Sequence, residues 1–246
     1  MNDSIRFFES KKRDLRGYTL IEGFPGMGLV GTIAAKYMVE KLEFELIGHI
    51  DSDFFIPLIQ IHKGLPLHPS RIYANDDLKM VIFISEQVIP RQETYGMARA
   101  SIDWYKEKGI GRVISLAGIN TGNANDKKIY GIGSNPKTIK LLEENEIEVI
   151  QEGITTGITA IILLELDHEN IDAFSIMGPV SIGTDYKASA GLLEKLSKIL
   201  KLEINTAPLL KEAKQTESEL LNQMQKLRES SDTMQKTEDH GPAMYT

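Results

Sequence analysis

The chain has 246 residues, of which 41% are hydrophobic and 26% are charged, and these values are ordinary for a globular protein that buries a core. Its 28 Lys and Arg residues against 35 Asp and Glu residues give a net charge of −7, which argues against a nucleic acid as partner. The chain contains no cysteine, which excludes a disulfide, a thiolate metal site and a cysteine nucleophile.

No segment of the sequence predicts insertion into a membrane. The amino-terminal segment carries charges where a signal peptide would have its apolar stretch. The longest apolar run, ITAIILLEL from Ile158, is shorter than the roughly 20 residues that a membrane-spanning helix needs, and it predicts a buried helix instead. We therefore expect a cytoplasmic protein with no membrane partner.

The first part of the chain predicts one helix among several strands. Residues 18–23 read as a strand, and apolar residues at helical spacing predict a helix over 29–42. Stretches rich in β-branched and aromatic residues predict a strand at 44–50 and a meander of two or three strands within 53–86.

From residue 94 onwards, helices and strands alternate. Such alternation implies βαβ units and a largely parallel sheet covered by helices, so the predicted class is α/β. Helices are predicted at 94–108, 136–145, 156–167 and 185–200, and strands at 112–118, 147–151 and 171–177.

The composition changes after residue 203, which divides the chain into a core at 1–203, an amphipathic helix at 204–229 and a flexible polar tail at 230–246. The apolar stripe of the helix is too narrow for a core helix. The helix either packs against the same helix of another copy or lies along the body. Its heptad-like seam is formed by Leu210, Ala213, Glu217, Leu220, Met224 and Leu227.

The tail ends in Met244, Tyr245 and Thr246, which is a hydrophobic residue, a tyrosine and any residue at a terminal carboxylate. About 15 flexible residues reach up to about 50 Å. A rigid aromatic ring with a polar end suits a pocket on another protein, and the carboxylate suits a lysine there. We therefore expect the tail to bind a partner protein.

The stretch GFPGMGLVGTIAAKY places Gly26, Gly28 and Gly31 in G-x-G-x-x-G spacing between a predicted strand and a predicted helix. With Asp51 at the end of the next strand, this pattern is typical of a dinucleotide site, in which the carboxylate binds the ribose. The same glycines also suit a tight turn and a closely packed helix. A P-loop is excluded, because Thr32 stands where a phosphate-binding lysine belongs.

Other catalytic patterns are absent from the sequence. It contains no G-x-S-x-G, and its five histidines show no metal-binding spacing, so we expect neither a metal nor a cofactor. Polar loops at the predicted strand ends contain Glu86, Asn120 and Asp185. These residues could meet at the edge of a parallel sheet where ligands usually bind. No nucleophile and base can be paired, so we predict no catalytic residue and no enzyme.

Three stretches, EGFPGMGLVGTIAAKYMVEKL, PLIQIHKGLPLHPSRIY and GINTG, resemble the proteasome assembly chaperone superfamily, especially its archaeal members. The resemblance covers about residues 15–203. It implies a three-layer α/β/α core with a mostly parallel, mixed sheet, similar to the phosphorylase/hydrolase-like fold. It also implies a homo-oligomer, with a tetramer favoured over a pentamer, and a glycine loop inherited as part of the fold.

The function that the resemblance implies is an ATP-independent chaperone or activator. Its tails would dock between α-subunits of the proteasome ring and promote assembly or gate opening, with Met244 as anchor, Tyr245 as pocket aromatic and Thr246 as carboxylate donor. Two alternatives stay open. One is an enzyme or sensor that binds a nucleotide-like ligand at the glycine loop, and the other is a structural oligomer whose tail folds back on the core.

Overall fold

The computed structural model describes residues 5–123, 126–180 and 185–211. Its strands are β1 (Ile5–Glu9), β2 (Thr19–Gly23), β3 (Glu45–Ser52), β4 (Gln60–His62), β5 (Leu65–Leu67), β6 (Ser70–Asn75), β7 (Met80–Ser85), β8 (Arg112–Ile119), β9 (Tyr130–Gly133), β10 (Glu148–Val149) and β11 (Asp172–Pro179). Its helices are α1 (Val30–Lys41), α2 (Thr94–Lys108), α3 (Pro136–Glu144), α4 (Ile158–His168) and α5 (Tyr186–Leu200).

Nine strands form one mixed sheet in the order β1-β3-β6-β7-β2-β8-β11-β9-β10, and β4 pairs with β5 in a separate hairpin. The central strands β7, β2, β8 and β11 are parallel. On one side, β1, β3, β6 and β7 pair antiparallel, and on the other side β9 runs antiparallel to β11. The carboxyl ends of the four central strands therefore meet at one edge of the sheet.

Helices cover both faces of the sheet and produce three layers. Apolar residues of α1 and α5 pack on one face, together with Leu142 of α3. Apolar residues of α2 and α4 pack on the other face, where Trp104 and Tyr105 contact Phe83 of β7. The predicted α/β class and the three-layer arrangement are confirmed. Among the described helices, none is long and apolar enough to span a bilayer.

The sheet departs from the sequence-based expectation at its flanks. β1 was not predicted, because its five residues precede a charged stretch, yet Phe7 stacks on Trp104 of α2 and anchors the strand. β9 was not predicted either, and it is only four residues long. Short flanking strands such as these depend on pairing with a longer neighbour, here β3 and β11, and carry little signal of their own.

The chain beyond α5 returns to the body before it leaves the described region. The Tyr37 hydroxyl of α1 donates a hydrogen bond to the Asn205 carbonyl oxygen at 2.6 Å, and Leu209 is only 2% exposed within the α1–α5 core. Contact with the body thus continues as far as Leu209. A helix begins at residue 207, and Lys211 is the last residue described.

Candidate functional site

The glycine loop joins β2 to α1 at the carboxyl edge of the central strands. It passes through a 3-10 turn at Met27–Leu29, in which Gly28 has a φ of +63°, before α1 begins at Val30. A Cβ atom on Gly31 would lie 2.0 Å from the carbonyl oxygen of Leu116 in β8. Because Gly31 has no side chain, the first turn of α1 lies directly against β8.

The other two glycines of the motif differ from each other. The Gly28 carbonyl oxygen accepts a hydrogen bond from the Asp185 amide at 2.8 Å, and a Cβ on Gly28 would lie 2.9 Å from Val180. Gly26 has extended backbone, and an added Cβ would meet nothing within 4 Å. Packing and conformation therefore account for Gly28 and Gly31, and they do not account for Gly26.

Asp51 lies away from the glycine loop. It belongs to β3, which is separated from β2 by β6 and β7. Its carboxylate pairs with the Arg6 guanidinium at 3.1 Å on the outer edge of the sheet. A ribose-binding carboxylate in a dinucleotide fold lies on a strand near the glycine loop, so the structure does not bring Gly26, Gly28, Gly31 and Asp51 together as such a site.

The three polar residues expected at the strand ends have structural partners. The Glu86 carboxylate pairs with the ammonium of Lys36 and, at 3.3 Å, with the guanidinium of Arg71. The Asp185 side chain caps the amino end of α5. The Asn120 side chain accepts a hydrogen bond from a backbone amide of its own loop at 2.9 Å. Each of the three stabilises local structure at this edge of the sheet.

A cavity of about 660 Å³ opens beside the glycine loop, at the carboxyl ends of β2, β8 and β11. The segment 150–159, which connects β10 to α4, forms its other side. A volume of this size matches small-molecule sites, which favour this edge of α/β sheets. Its apolar wall is formed by Phe24, Met27, Ile119, Ile132, Ile150, Ile154, Ile158 and Met177.

A row of polar side chains crosses the sheet at the base of this cavity. In the register of the strands, Glu22 of β2 lies beside Ser115 of β8, and Ser115 lies beside Ser175 of β11. Their side chains share the face covered by α2 and α4, where the flanking partners Phe83 and Ile132 are apolar. Glu22 and Ser175 line the cavity, and both are only 1% exposed.

The Glu22 carboxyl is fixed by two buried hydroxyl groups. The Tyr105 hydroxyl donates to Oε1, and the Ser115 hydroxyl donates to Oε2 at 2.6 Å. Burial raises the pKa of Glu22 to about 7, although both hydrogen bonds act in the opposite direction. Burial, followed by the charge of Glu22, also raises the pKa of Tyr105 well above its usual value. Burial in the sheet thus keeps the proton on Glu22 to a higher pH than an exposed glutamate would.

Sequence patterns missed this polar row because its members are far apart in the chain. The only local signal is Glu22 itself, a charged residue inside the otherwise apolar strand YTLIEG. A fully buried glutamate is rare without a partner, so a single such residue in a central strand indicates a polar neighbour across the sheet.

Two of the five histidines lie next to each other on the antiparallel side of the sheet. The ring of His49 stacks on Phe8 with centroids 4.8 Å apart, and on His68 with centroids 3.6 Å apart. Burial, followed by the charge of His68, lowers the pKa of His49. Within residues 5–123, 126–180 and 185–211, no group of three or more His, Asp or Glu side chains is arranged to hold a metal ion.

The predicted partner-binding residues Met244, Tyr245 and Thr246 lie outside the described residues, as do Ala213, Leu220, Met224 and Leu227 of the predicted seam. Leu210 is described, and it is 40% exposed beside the buried Leu209. The first residue of the seam therefore faces away from the core of its own chain.

These features define a three-layer α/β/α protein with a closely packed glycine turn and an apolar cavity at the carboxyl ends of its central strands. Comparison with known proteins gives the family: residues 20–224 match the PAC2 family, and the chain belongs to it.

Three relatives illustrate the similarity. An uncharacterized protein of Methanocaldococcus jannaschii is 33% identical over 221 residues, which cover 89% of this chain and 91% of the relative. The crystal structure of Pyrococcus furiosus PbaA, an archaeal homologue of proteasome-assembly chaperone, matches with a TM-score of 0.83 at 28% identity and covers 96% of this chain and 98% of PbaA. Pyrococcus furiosus PbaB, an archaeal proteasome activator, shares the fold with a TM-score of 0.76 at 23% identity, over 90% of this chain and 99% of PbaB.

The resemblance of the three quoted stretches to archaeal proteasome assembly chaperones is confirmed by these comparisons. The match to PbaA extends over nearly the whole of both chains, so the likeness includes the α/β/α body with its flanking strands.

Proposed function

We propose that this protein is an ATP-independent, proteasome-binding chaperone or activator. The observation that carries the proposal is the match of nearly the whole chain to PbaA, an archaeal homologue of proteasome-assembly chaperone. Its acidic composition and the close packing of Gly28 and Gly31 agree with a protein that acts through contacts with other proteins rather than by nucleotide turnover.

The binding element is the carboxyl-terminal tail. The body holds the chain firmly at Asn205 and Leu209, and 35 further residues follow Lys211. The tail at 230–246 carries Met244, Tyr245 and Thr246 to pockets between neighbouring α-subunits of the proteasome ring. There the tyrosine ring fills an apolar pocket, and the terminal carboxylate pairs with a lysine.

Several tails act together in a homo-oligomer, with a tetramer favoured over a pentamer. One short peptide buries little surface and binds weakly, whereas linked tails gain roughly a hundredfold or more through effective concentration. The β4–β5 hairpin supports self-association, because four large apolar side chains around it are each more than 60% exposed. They are Ile56, Ile59, Ile61 and Leu65.

The test is a pull-down of assembled α-rings by the full chain and by three variants. Deletion of residues 244–246 and Tyr245→Ala should each abolish ring capture, because each removes the aromatic anchor. Thr246→Ala should retain capture, because the last position accepts any residue and only its carboxylate takes part.

Light scattering checks that all variants keep the oligomeric state of the parent, since loss of the oligomer would also remove multivalent binding. Capture of α-rings by the deletion variant at the level of the full chain would refute docking by the tail. Ring capture by a parent protein that is monomeric would refute the homo-oligomer, whereas docking by the tail would still stand.

A further inference from the structure

The cavity beside the glycine loop has the composition of a ligand site. Its volume of about 660 Å³ lies in the middle of the range for small-molecule pockets. Apolar side chains such as Phe24, Ile132 and Met177 line the wall. The exposed residues Thr155 and Thr156 form its mouth. The proposed proteasome contacts use none of these residues.

The charges around the cavity are of one sign. Among the described residues that line it, the ionisable side chains are Glu22 at the base and Glu152 at the mouth, and none is Lys, Arg or His. A phosphate or carboxylate ligand needs cationic or amide donors to replace its hydration, and two carboxyl groups oppose it. The side chains therefore favour a ligand that carries a positive charge.

The Glu22 carboxylate is positioned to accept hydrogen bonds from a cationic group of the ligand. Each of its carboxyl oxygens accepts one hydrogen bond, from the buried hydroxyl of Tyr105 or of Ser115. A carboxylate offers about four acceptor positions, so each oxygen retains acceptor capacity. The nearby Ser175 hydroxyl donates to the Ser115 carbonyl oxygen at 3.2 Å, and its own oxygen remains available as an acceptor.

The amino end of α4, which lies among the described residues of the cavity lining, favours an anion. Gly157 precedes α4 without a side-chain cap, so the first amides of the helix are free to attract negative charge. This end lies at the exposed mouth, whereas Glu22 is fully buried at the base. Electrostatic interactions are stronger at the buried position, because water screens the mouth.

We infer that the cavity binds a small organic amine, whose apolar body lies against Phe24, Ile132 and Met177 and whose ammonium group donates hydrogen bonds to Glu22.

Calorimetric titration with three probes of the same shape tests this inference: benzylamine, benzyl alcohol and benzoate. On the full-length protein, benzylamine should bind with saturation, benzyl alcohol at least about fivefold more weakly, and benzoate without measurable heat. Binding of benzoate in preference to benzylamine would show that the amino end of α4 dominates, and it would overturn the inference. Lack of saturable benzylamine binding would overturn it as well.

Two carboxyl-to-amide variants locate the charge. Glu22→Gln should weaken benzylamine binding by about tenfold or more, because it removes a charged acceptor from a buried position. The matched control Glu152→Gln changes the same group at the exposed mouth and should weaken binding by less than about fivefold. Equal losses in both variants would assign the effect to the overall charge of the mouth and contradict a site at Glu22.

A third variant tests the location without touching the polar row. Ala117 lines the cavity and is half-buried beside Met177, so the side chain of Ala117→Leu would enter the cavity. This variant should bind neither benzylamine nor benzyl alcohol. Unchanged benzylamine binding in Ala117→Leu would place the ligand elsewhere and overturn the inference.

Discussion

The glycine loop and the polar row lie side by side at the carboxyl end of β2. A sequence motif marks the glycine loop, whereas no sequence pattern marks the polar row. The glycines have the spacing of a nucleotide site, yet Gly31 lies against a backbone carbonyl of β8 and Gly28 lies against Val180 and Asp185. Glu22, Ser115 and Ser175 form no motif, yet together they make a buried polar base for a cavity.

The difference shows what a local motif measures. A glycine motif indicates that another group approaches the backbone closely, and this group can be a ligand or another part of the protein. At two of the three glycines in this motif, the neighbouring group belongs to the protein itself. The polar row arises from strand register, which brings together residues about 60 to 90 positions apart. Chemical function at the edge of a sheet therefore depends on pairing that no short sequence pattern records.

Gly31→Ala should have the largest effect on stability. In an exposed helix, alanine in place of glycine stabilises by about 1 kcal/mol. Here the new Cβ would lie 2.0 Å from the Leu116 carbonyl oxygen, which forces α1 away from β8. We expect the free energy of unfolding to fall by about 4 kcal/mol or more, measured by urea denaturation.

Gly26→Ala is the matched control for that variant. Its backbone is extended, and an added Cβ meets nothing within 4 Å, so the free energy of unfolding should change by less than about 0.5 kcal/mol. If Gly31→Ala proves as stable as Gly26→Ala, close packing of α1 on β8 does not require a glycine at position 31. The proposed difference between the glycine loop and the polar row would then be wrong.

The polar row should make stability depend on pH. The pKa of Glu22 is raised from 4.5 to about 7 in the folded protein, so the folded state holds this proton more tightly than the unfolded chain does. Its contribution is most favourable below pH 4.5 and is lost as the pH rises towards 7, with a total of about 3 kcal/mol. Glu22→Gln does not titrate and should lack this loss.

The measurement is urea unfolding of the wild type and of Glu22→Gln between pH 4.5 and pH 8. All other groups contribute equally to both proteins, so the difference between the two curves isolates Glu22. The variant should gain about 3 kcal/mol relative to the wild type across this interval. Parallel curves would mean that the buried carboxyl titrates at its usual value and that the polar row does not enclose it.

Much of the fold was predictable because its central elements are long and regular. The helices at 94–108 and 185–200 and the strand at 112–118 agree with α2, α5 and β8 to within one residue at each end. The quoted stretches also led to the correct family. Long periodic segments bury a defined face, and that burial is what the sequence pattern records.

The flanks and the site were less predictable, for different physical reasons. The sheet is antiparallel along β1, β3, β6 and β7. A tight turn joins β6 to β7, and an antiparallel pair needs no crossover helix. Residues 53–59 resemble a strand in composition, yet only Gln60–His62 pairs, and only within its own hairpin. The cavity needed the register of three strands, which composition does not provide.

The smallest expected effect concerns nucleotides, and it tests the contrast between the two regions most directly. ATP and NAD should leave the melting temperature of the wild type unchanged, because Gly28 and Gly31 already contact the protein's own backbone or side chains and Asp51 is paired with Arg6. Gly26 is the one glycine of the motif with open space beside it, so Gly26→Ala blocks close approach of a phosphate without straining the fold. A melting shift with ATP or NAD that disappears in Gly26→Ala would show that the loop binds a nucleotide after all. In that case the motif, and not the strand register, would be the better guide to function at this edge of the sheet.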